Sequence, residues 1–450
     1  MTGKEIVENF LILGLGRATT PIIKFLLKKK KRVFGYDLLK NKRRPFVGDR
    51  NFIFVSEDEI TNLPEPLTII ISPGISEDSE IALLVKEKGR MISDVEFVYQ
   101  ILLGHREIKI VAITGTNGKS TTTALLGTIL KREKRGVFVG GNIAPGKPAG
   151  AALFEKKDTF IFEVSSFQLE KIKKFRPNIA VLLNVNKDHL DRYQCWRKYV
   201  MAKANIFMNQ KETDIAVLNY DDPQIRRIAK KIKSNTFWFS LRQEVNGIYW
   251  KEGRSYIKFP GKKEIKLFQD SDIPLRGKFN LENILAASLA AYLLGVTKEE
   301  IIEGIKNFPG LPHRMEFIRK VKGVSFVNNS MATNPSAFVY SLSAFFQPVI
   351  LIAGGKNKGF SFTEYVKPIE RYVKFLVLIG EVKNELFKLL PPSVRQRTYL
   401  APSLKKAVEK AFVMARKNDI ILFSPGFSSF DMFKDFIDRG NSFRRIVRSL

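Results

Sequence analysis

Short apolar runs, typical of buried strands, alternate with longer amphipathic stretches along almost the whole chain. This alternation favours parallel β-sheets covered by helices, because each strand–helix–strand unit returns the chain to the same edge of a sheet. The pattern occurs in three successive segments, residues 1–105, 106–310 and 311–450, with 310–312 at the second joint. We therefore predict an α/β protein of three domains.

The predicted strands of the central segment end in polar residues, and ligands of open parallel sheets lie beyond the carboxyl ends of the strands. Polar residues at those ends, such as Glu163, Asn184 and Asn219, are therefore candidates for function. The predicted strands are residues 10–13, 32–36, 67–71, 109–113, 160–162, 179–183, 215–218, 324–327, 349–352, 375–379 and 420–423.

The chain is strongly basic, with 75 Lys and Arg against 45 Asp and Glu and a formal net charge of +30. Such a balance favours anionic partners. The basic residues form short scattered clusters, however, so we predict a solvated surface that attracts anionic substrates and no nucleic-acid partner. The single Cys195 excludes an internal disulfide and fits a reducing compartment. We find no signal-peptide pattern and no bilayer-length apolar run, and expect a cytoplasmic protein.

A glycine-rich loop, residues 113–121, follows a predicted strand and precedes a predicted helix. Its glycines allow backbone N–H groups to face a phosphate, and the helix N-terminus adds partial positive charge. Lys119 would bridge the terminal phosphates, and the Ser120 hydroxyl would reach Mg²⁺. Ile113 replaces the first glycine of the usual P-loop; ATPases, kinases, GTPases and ligases all use such a loop. The predicted ATP-binding residues are Gly115, Thr116, Asn117, Gly118, Lys119, Ser120 and Thr121.

Three further residues of the central segment have roles that their pattern alone leaves open. Glu163 ends a strand, where its carboxylate would face the triphosphate and hold Mg²⁺, a hard ion that prefers oxygen ligands; taken alone, a surface acid is the better interpretation. His189 follows a strand among polar residues, and a ligand or positioning role is open. Lys203 lies in a helix-like stretch and by pattern is an ordinary surface lysine.

Six motifs occur in one order, namely residues 114–121, 163–170, 188–193, 310–314, 332–335 and 424–431. Together they resemble the Mur ligase family over essentially the whole chain. The resemblance implies an ATP-dependent ligase that joins D-glutamate to UDP-N-acetylmuramoyl-L-alanine through an acyl phosphate, in peptidoglycan precursor synthesis. It also implies an N-terminal Rossmann-like domain for the UDP substrate, a central P-loop mononucleotide-binding parallel sheet, and a C-terminal Rossmann-like domain for the amino acid.

Within the N-terminal segment, the resemblance assigns positions to the UDP substrate. The matching residues are Leu15, Gly16, Asp37, Ser72, Pro73 and Gly74, together with Asn142 of the central segment. Without the resemblance, residues 14–16 and the later Asp37 would also fit a nicotinamide dinucleotide site. Thr19 stands where that site needs its third glycine, which disfavours a dehydrogenase.

For the central segment, the resemblance implies ATP and two Mg²⁺ ions. The metal positions match Ser120, Glu163, His189 and Lys203. Lys203 would be carbamylated, since an ammonium repels Mg²⁺ whereas a carbamate is an anionic oxygen ligand. Further ATP positions match Asn280, Asn283, His313, Arg314 and Asn329, and catalytic positions match Lys119, Glu163, His189, Lys203 and Arg314.

The C-terminal segment carries the implied acceptor-binding positions, which match Thr333, Lys358, Ser429 and Phe436, while Arg439 matches a basic position without an assigned role. Three positions depart from the family pattern: Asn329 replaces an aspartate, Met331 a lysine and Phe279 a histidine. These departures bear on ATP contacts and on acceptor choice. Lys356 is a candidate to compensate for the cation that is missing at Met331.

Other protein classes stay open at this stage. The main alternative is a sister Mur ligase or a folylpolyglutamate-type ligase with a different acceptor amino acid. A non-catalytic nucleotide-binding regulator ranks lower, because Lys119, Glu163, His189 and Lys203 are all present. We expect a monomer without stable membrane insertion.

Overall fold

The structure is a computed structural model of the 450-residue chain. It describes residues 9–39, 46, 48–104, 108–131, 136–186, 193, 195–274, 277–345 and 347–450. The chain divides into two compact units, Met1–Pro274 with Glu282–Phe308 and Leu275–Leu281 with Pro309–Leu450. None of the helices within the described ranges combines the length and the apolar character needed to cross a membrane.

The first sheet is parallel, with the strand order β3-β2-β1-β4-β5. Its central strand is buried from Phe10 to Leu13, as expected for a strand that helices cover on both faces. Its strands are β1 (Asn9–Leu13), β2 (Arg32–Tyr36), β3 (Phe52–Phe54), β4 (Leu67–Ile71) and β5 (Gly89–Ser93). Its helices are α1 (Thr20–Lys28), α2 (Glu57–Ile60), α3 (Glu80–Leu84) and α4 (Asp94–Leu103).

The second sheet is larger, with the strand order β14-β13-β12-β11-β10-β9-β6-β8-β7. Strands β6 to β12 pair in parallel, and β13 and β14 add an antiparallel extension at one edge. The strands are β6 (Lys109–Thr114), β7 (Val137–Gly141), β8 (Thr159–Glu163), β9 (Ile179–Leu182), β10 (Ile215–Asn219), β11 (Asn235–Ser240), β12 (Gly247–Lys251), β13 (Arg254–Lys258) and β14 (Ile265–Gln269). The helices are α5 (Lys119–Leu130), α6 (Ser166–Leu169), α7 (Trp196–Ala204), α8 (Pro223–Ala229), α9 (Lys278–Leu293) and α10 (Lys298–Lys306).

Helix α4 joins the first two sheets within the first compact unit. The ring of Phe97 packs edge-on against Phe10 of β1, and the ring of Tyr99 packs edge-on against Phe175. The fully buried carboxylate of Glu96 accepts the backbone N–H of Phe175 at 2.8 Å and that of Lys174 at 2.8 Å. These contacts hold the first two sheets together in one compact unit.

The third sheet has the strand order β15-β16-β20-β17-β18-β19, parallel except for the β15–β16 pair. Its strands are β15 (Glu316–Val321), β16 (Val324–Asn328), β17 (Val349–Gly354), β18 (Val373–Ile379), β19 (Thr398–Leu400) and β20 (Ile420–Gly426). Its helices are α11 (Pro335–Leu342), α12 (Thr363–Tyr372), α13 (Lys383–Leu389), α14 (Pro392–Arg395), α15 (Leu404–Met414) and α16 (Phe436–Arg448). The predicted α/β class with three sheet regions is confirmed, while the exact domain boundaries stay predictions.

Candidate active site

The glycine-rich loop connects β6 to α5, as the sequence predicts. Gly118 caps the helix at φ +85°, and a Cβ there would lie 2.1 Å from Asn283 Oδ1. The Lys119 ammonium folds back over the loop and donates to the carbonyl oxygens of Gly115 and Thr116, both at 2.9 Å. The loop therefore presents a cation at a helix N-terminus, which suits a phosphate.

The end of β9 supports this loop from the side. Asn184 Oδ1 accepts the Asn117 N–H at 2.8 Å, and Asn184 Nδ2 donates to the Asn117 carbonyl at 3.1 Å. The Thr116 hydroxyl lies 3.0 Å from the Tyr199 hydroxyl on α7. The sequence marks Asn184 only as a polar strand end and gives no sign of Tyr199, because the contacts join segments more than 60 residues apart.

Lys203 of α7 is buried, with 2 % of its surface exposed, so its pattern-based interpretation as a surface lysine is wrong. Its Nζ donates to the Gly115 carbonyl at 2.8 Å and lies 4.6 Å from the centroid of the Tyr199 ring. Lys119 donates to the same Gly115 oxygen. Two ammonium groups thus converge on one oxygen atom, which makes the surroundings strongly attractive to anions.

Glu163 at the end of β8 is also buried rather than a surface acid, with 3 % exposed. Its Oε2 atom has no hydrogen-bond partner among the described residues. A buried carboxylate oxygen without a partner is costly unless a ligand or ion completes it. Because β8 pairs with β6, with Glu163 opposite Ile113, this oxygen lies beside the strand that leads into the phosphate loop.

The predicted metal positions are only partly described. Ser120 is buried at the start of α5, whereas His189 lies outside the described residues. The described residues contain no group of three or more His, Cys, Asp or Glu side chains that could hold a metal ion. A metal at Glu163 would therefore depend on oxygen atoms from other sources, such as the Ser120 hydroxyl and the phosphates themselves.

Loops of the first and second sheets enclose two adjoining cavities of about 310 and 240 Å³. Pro73, Gly74 and Asn142 line both, so these three of the predicted UDP-substrate positions share a cavity with Lys119 of the phosphate loop. The larger cavity is lined by Pro73, Gly74, Lys119, Asn142, Ser165, Ser166, Phe167, Tyr199 and Lys203. The smaller is lined by Arg17, Ala18, Ser72, Pro73, Gly74, Asp94, Gly141, Asn142, Pro148 and Gln168.

The turn after β1 positions the remaining predicted residues of the first sheet. The backbone N–H of Leu15 donates to Asp37 Oδ2 at 2.7 Å, which ties β1 to the end of β2. The Thr19 hydroxyl is fully buried and donates to the Gly14 carbonyl at 2.5 Å. Gly16 begins the turn that leads into α1, where its carbonyl accepts from Thr20. The structure therefore places Leu15, Gly16 and Asp37 together.

Arg17 is a cavity-lining residue that sequence analysis missed. Its NH2 group donates to the carbonyl oxygens of Ile143 and Gly146, both at 2.5 Å. The sequence does contain an indication of this role, since a basic residue directly follows the Gly-Leu-Gly turn at the start of a helix.

Of the predicted nucleotide contacts, Asn283 lies at the phosphate loop, where its Oδ1 accepts from the Thr122 hydroxyl at 3.3 Å. Asn280 belongs to the second compact unit, and its backbone N–H donates to Gly277 at 3.0 Å. Neighbouring Phe279, the replacement for a histidine, stacks on Tyr340 with ring centroids 3.9 Å apart. The aromatic ring at 279 therefore packs within its own unit.

His313 and Arg314 follow the predicted joint in the second unit. His313 is buried at φ +64°, and its Nδ1 accepts from Asn328 Nδ2 at 3.1 Å. Burial lowers the pKa of His313, so the ring stays neutral near pH 7. Arg314 is partly buried in the turn that starts at Leu311.

Asn329 uses both ends of its amide. Nδ2 donates to the Ser424 hydroxyl at 3.3 Å, and Oδ1 accepts from the Met315 N–H at 3.2 Å. An aspartate would offer no donor to Ser424, and the Ser424 hydroxyl would have to donate to it instead. Met331 is half-buried, and its backbone N–H donates to the His313 carbonyl at 3.2 Å.

Three of the predicted acceptor positions, Thr333, Lys358 and Ser429, lie on loops at the carboxyl ends of the third sheet. Lys356 and Ser428 exchange two backbone hydrogen bonds, at 2.9 and 3.1 Å, which holds the Lys358 loop beside the buried Ser429. Lys358 Nζ lies 5.3 Å from the centroid of the exposed Phe430 ring.

Thr333 and Phe436 belong to neighbouring segments of the same unit. Thr333 is half-buried one residue after Ala332, whose carbonyl accepts the Gly426 N–H at 3.0 Å. The Phe436 ring lies edge-on to His313, with centroids 6.5 Å apart. The second unit thus places Thr333, Lys358 and Ser429 on loops and Phe436 at the start of α16.

The chain is similar to known proteins along its whole length. Residues 113–291 match the Mur ligase middle domain, and residues 313–427 match the Mur ligase glutamate ligase domain. A UDP-N-acetylmuramoylalanine–D-glutamate ligase from Caldanaerobacter subterraneus subsp. tengcongensis is 38 % identical, with 98 % of each chain covered. The protein of that name from Clostridioides difficile is 34 % identical, covering 100 % of this chain and 99 % of its own.

Solved structures show the same fold at low identity. The UDP-N-acetylmuramate–alanine ligase MurC from Thermotoga maritima has a TM-score of 0.61 at 19 % identity and covers 98 % of this chain and 99 % of its own. The MurF ligase from Thermotoga maritima in complex with ADP has a TM-score of 0.59 at 22 % identity, covering 85 % of this chain and 89 % of its own.

The fold, the phosphate loop and the full-length relatives define an enzyme that forms amide bonds at the expense of ATP. The chain belongs to the Mur ligase family.

Proposed function

We propose that the protein joins D-glutamate to UDP-N-acetylmuramoyl-L-alanine and converts ATP to ADP and phosphate, as a monomer in the cytoplasm. The names of relatives that match along the whole chain support this substrate pair. The observation that carries the proposal is the larger cavity, whose wall combines the cations Lys119 and Lys203 with Pro73, Gly74 and Asn142. A triphosphate and a nucleotide-linked acid would meet there.

Glu163 fits a divalent metal because its buried Oε2 has no hydrogen-bond partner among the described residues. Ser120 and Glu163 would hold one Mg²⁺, and His189 and Lys203 a second. Bound Mg²⁺ supplies charge neutralisation and Lewis acidity at the phosphates. Lys203 and Lys119 both donate to the Gly115 carbonyl. A carbamate on Lys203 would replace the repulsion between these two ammonium groups with attraction.

The chemistry needs an activated carboxyl group, because oxide is a poor leaving group. The alanyl carboxylate attacks the γ-phosphorus of ATP, and ADP leaves with the electrons of the broken P–O bond. The amine of D-glutamate then attacks the acyl carbon, phosphate leaves, and the amine gives up one proton. Charge develops on oxygen in both steps, and Lys119 and Arg314 would stabilise it electrostatically.

The acceptor would bind on the loops of the third sheet. Lys358 provides a cation for a carboxylate of D-glutamate, and Ser429 provides a hydroxyl donor beside it. Thr333 and Phe436 would complete the site from the adjoining segments. The lysine missing at Met331 would be compensated by Lys356, whose loop is paired with Ser428.

Phosphate release with UDP-N-acetylmuramoyl-L-alanine and ATP tests the proposal when the amino acid is varied. We expect turnover with D-glutamate and at least about tenfold lower kcat/KM with L-glutamate, meso-diaminopimelate or D-alanyl-D-alanine. Preference for a diamino acid or a dipeptide would favour the sister-ligase alternative, and preference for a folate with glutamate would favour the folylpolyglutamate-type one.

Lys119→Ala tests the phosphate loop, with Lys131→Ala as the control at the exposed other end of α5. Loss of the Lys119 cation should lower kcat by at least about a hundredfold, because the charge that develops on the phosphates loses its closest partner. Lys131→Ala should retain the activity of the unaltered protein. Full ADP release by Lys119→Ala would overturn the assignment of this loop.

A further inference from the structure

Three buried side chains of the first compact unit form a chain of hydrogen bonds that ends at the cavity wall. Asp94 begins α4, Gln168 lies on α6, and Ser165 directly precedes α6. Asp94 and Gln168 are each 1 % exposed, and Ser165 is 8 % exposed. Asp94 and Gln168 line the smaller cavity, and Ser165 lines the larger one together with Lys119 and Lys203.

The carboxylate of Asp94 determines the orientation of the Gln168 side-chain amide. Gln168 Nε2 donates to Asp94 Oδ1 at 2.8 Å and to Oδ2 at 3.0 Å. A flipped amide would place its oxygen against the carboxylate, where neither group has a hydrogen to donate. Gln168 Oε1 therefore faces Ser165 and accepts from its backbone N–H at 2.9 Å and its hydroxyl at 3.0 Å.

This arrangement decides what the Ser165 hydroxyl can offer to a ligand. A hydroxyl has one hydrogen and two acceptor lone pairs. The hydrogen is donated to Gln168 Oε1, and one lone pair accepts the Gln168 N–H at 3.3 Å. As far as the described residues extend, one lone pair is left. Ser165 can therefore only accept a hydrogen bond at the cavity.

We propose that Asp94 is a positioning residue: through Gln168 it fixes the Ser165 hydroxyl as an acceptor for the alanyl amide N–H of the nucleotide-linked substrate. That N–H is separated from the reacting carboxylate by a single carbon, and Ser165 shares its cavity with Lys119, which would bind the attacked phosphate. The inference rests on the proposed function. Without the Asp94 charge, Gln168 is free to turn over, and the Ser165 hydrogen is then redirected into the cavity.

The carboxylate and the amide can be exchanged between positions 94 and 168. A double variant that regains the activity lost in the single variants would then test the proposal. Q168E sets two carboxylates against each other with no hydrogen between them, and D94N leaves two amides that can pair in either orientation, so the orientation of Gln168 is no longer fixed. In the double variant D94N/Q168E, the amide introduced at position 94 would donate to the carboxylate introduced at position 168, whose other oxygen still accepts from Ser165. We expect each single variant to raise KM for the UDP substrate about tenfold. The double variant should bring this KM most of the way back to that of the unaltered protein.

KM for ATP should stay within about twofold in all three variants, because the pair does not touch the phosphate loop. A merely structural role would lower kcat and raise both KM values together. Thermal unfolding of each variant separates these cases, and D58N on exposed α2 is the matched control. A double variant no better than the worse single variant would overturn the proposal.

Ser165→Ala keeps the proposal testable if D94N does not fold, because it leaves the Asp94–Gln168 contact in place. An ester analogue of the substrate, with oxygen in place of the alanyl N–H, should bind about tenfold more weakly than the amide to the unaltered protein but equally to Ser165→Ala. Equal binding of both compounds to the unaltered protein would overturn the hydrogen bond from the substrate N–H to Ser165. Absence of any turnover by the unaltered protein would instead overturn the proposed function.

Discussion

Arg439 donates from its guanidinium NH2 to the carbonyl oxygen of Ser330 at 2.9 Å, and its Nε donates to the Ser330 hydroxyl at 3.1 Å. Its NH1 group donates to the Phe427 carbonyl at 3.0 Å. The side chain is 1 % exposed, and burial lowers its pKa to about 10. Arg439 thus joins the loop that leads to Thr333 and the loop that leads to Ser429.

Replacing Arg439 with methionine should destabilise the second unit. The change leaves two buried carbonyl oxygens without donors, and we expect the free energy of unfolding to fall by about 2–4 kcal/mol. Arg439→Lys keeps the charge but loses the planar set of guanidinium donors. Its free energy of unfolding should lie between those of Arg439→Met and the unaltered protein. Urea denaturation measures the change. Arg445→Met on the exposed side of α16 is the control and should shift stability by less than about 0.5 kcal/mol.

Replacing Gly118 with alanine should weaken ATP binding at least about tenfold, because the new Cβ would lie 2.1 Å from Asn283 Oδ1 and displace it or the loop. Gly261→Ala is the control for a Cβ added at positive φ outside the phosphate loop, since Gly261 has φ +68° and no atom within 4 Å of the added Cβ, and it should bind ATP like the unaltered protein. Titration with ATP measures both variants. Equal affinities of Gly118→Ala and Gly261→Ala for ATP would contradict the packing of Asn283 against the loop.

The parallel strands could be predicted from sequence because helices cover both faces, so each strand is a continuous apolar run. Residues 32–36 and 67–71 form β2 and β4 with the predicted bounds. The antiparallel extension at β13 was not predicted. Its strand alternates buried and exposed residues and carries Arg254 and Lys258 at its ends, so it lacks a continuous apolar run.

The site could be predicted where a local motif encodes it and not where distant segments meet. The phosphate loop is one such motif. The burial of Lys203 depends on Gly115, 88 residues earlier. The contact between Asp94 and Gln168 spans 74 residues and leaves no local pattern.

The stability of Asp94→Asn should depend on pH differently from that of the unaltered protein. Burial raises the pKa of Asp94 from its ordinary 3.8 to about 6, so the folded state binds this proton more tightly than the unfolded state. The stability that this group contributes is therefore fully present below about pH 4 and is lost as pH rises through about 6.

The difference between the two unfolding free energies should accordingly move by about 2 kcal/mol in favour of Asp94→Asn between about pH 4 and about pH 6.5. Chemical denaturation across this range measures it. The exposed Asp58→Asn control should show no such trend. A constant difference between Asp94→Asn and the unaltered protein would mean that Asp94 does not titrate in this window.

Replacing Glu163 with glutamine separates a metal ligand from a structural acid. Glu163 Oε2 is buried without a hydrogen-bond partner among the described residues, so it stabilises nothing there until an ion binds. Without Mg²⁺, Glu163→Gln should therefore unfold at the same temperature as the unaltered protein or higher, because an uncompensated buried charge is removed. The Mg²⁺ concentration for half-maximal phosphate release should rise at least about tenfold, and the Mg²⁺-dependent gain in melting temperature with ATP should shrink.

Glu155→Gln is the opposite control: it breaks the ion pair with Lys147, at 2.6 Å, and should lose a little stability without changing the response to Mg²⁺. A Glu163→Gln protein that melts earlier but responds normally to Mg²⁺ would make Glu163 a structural residue.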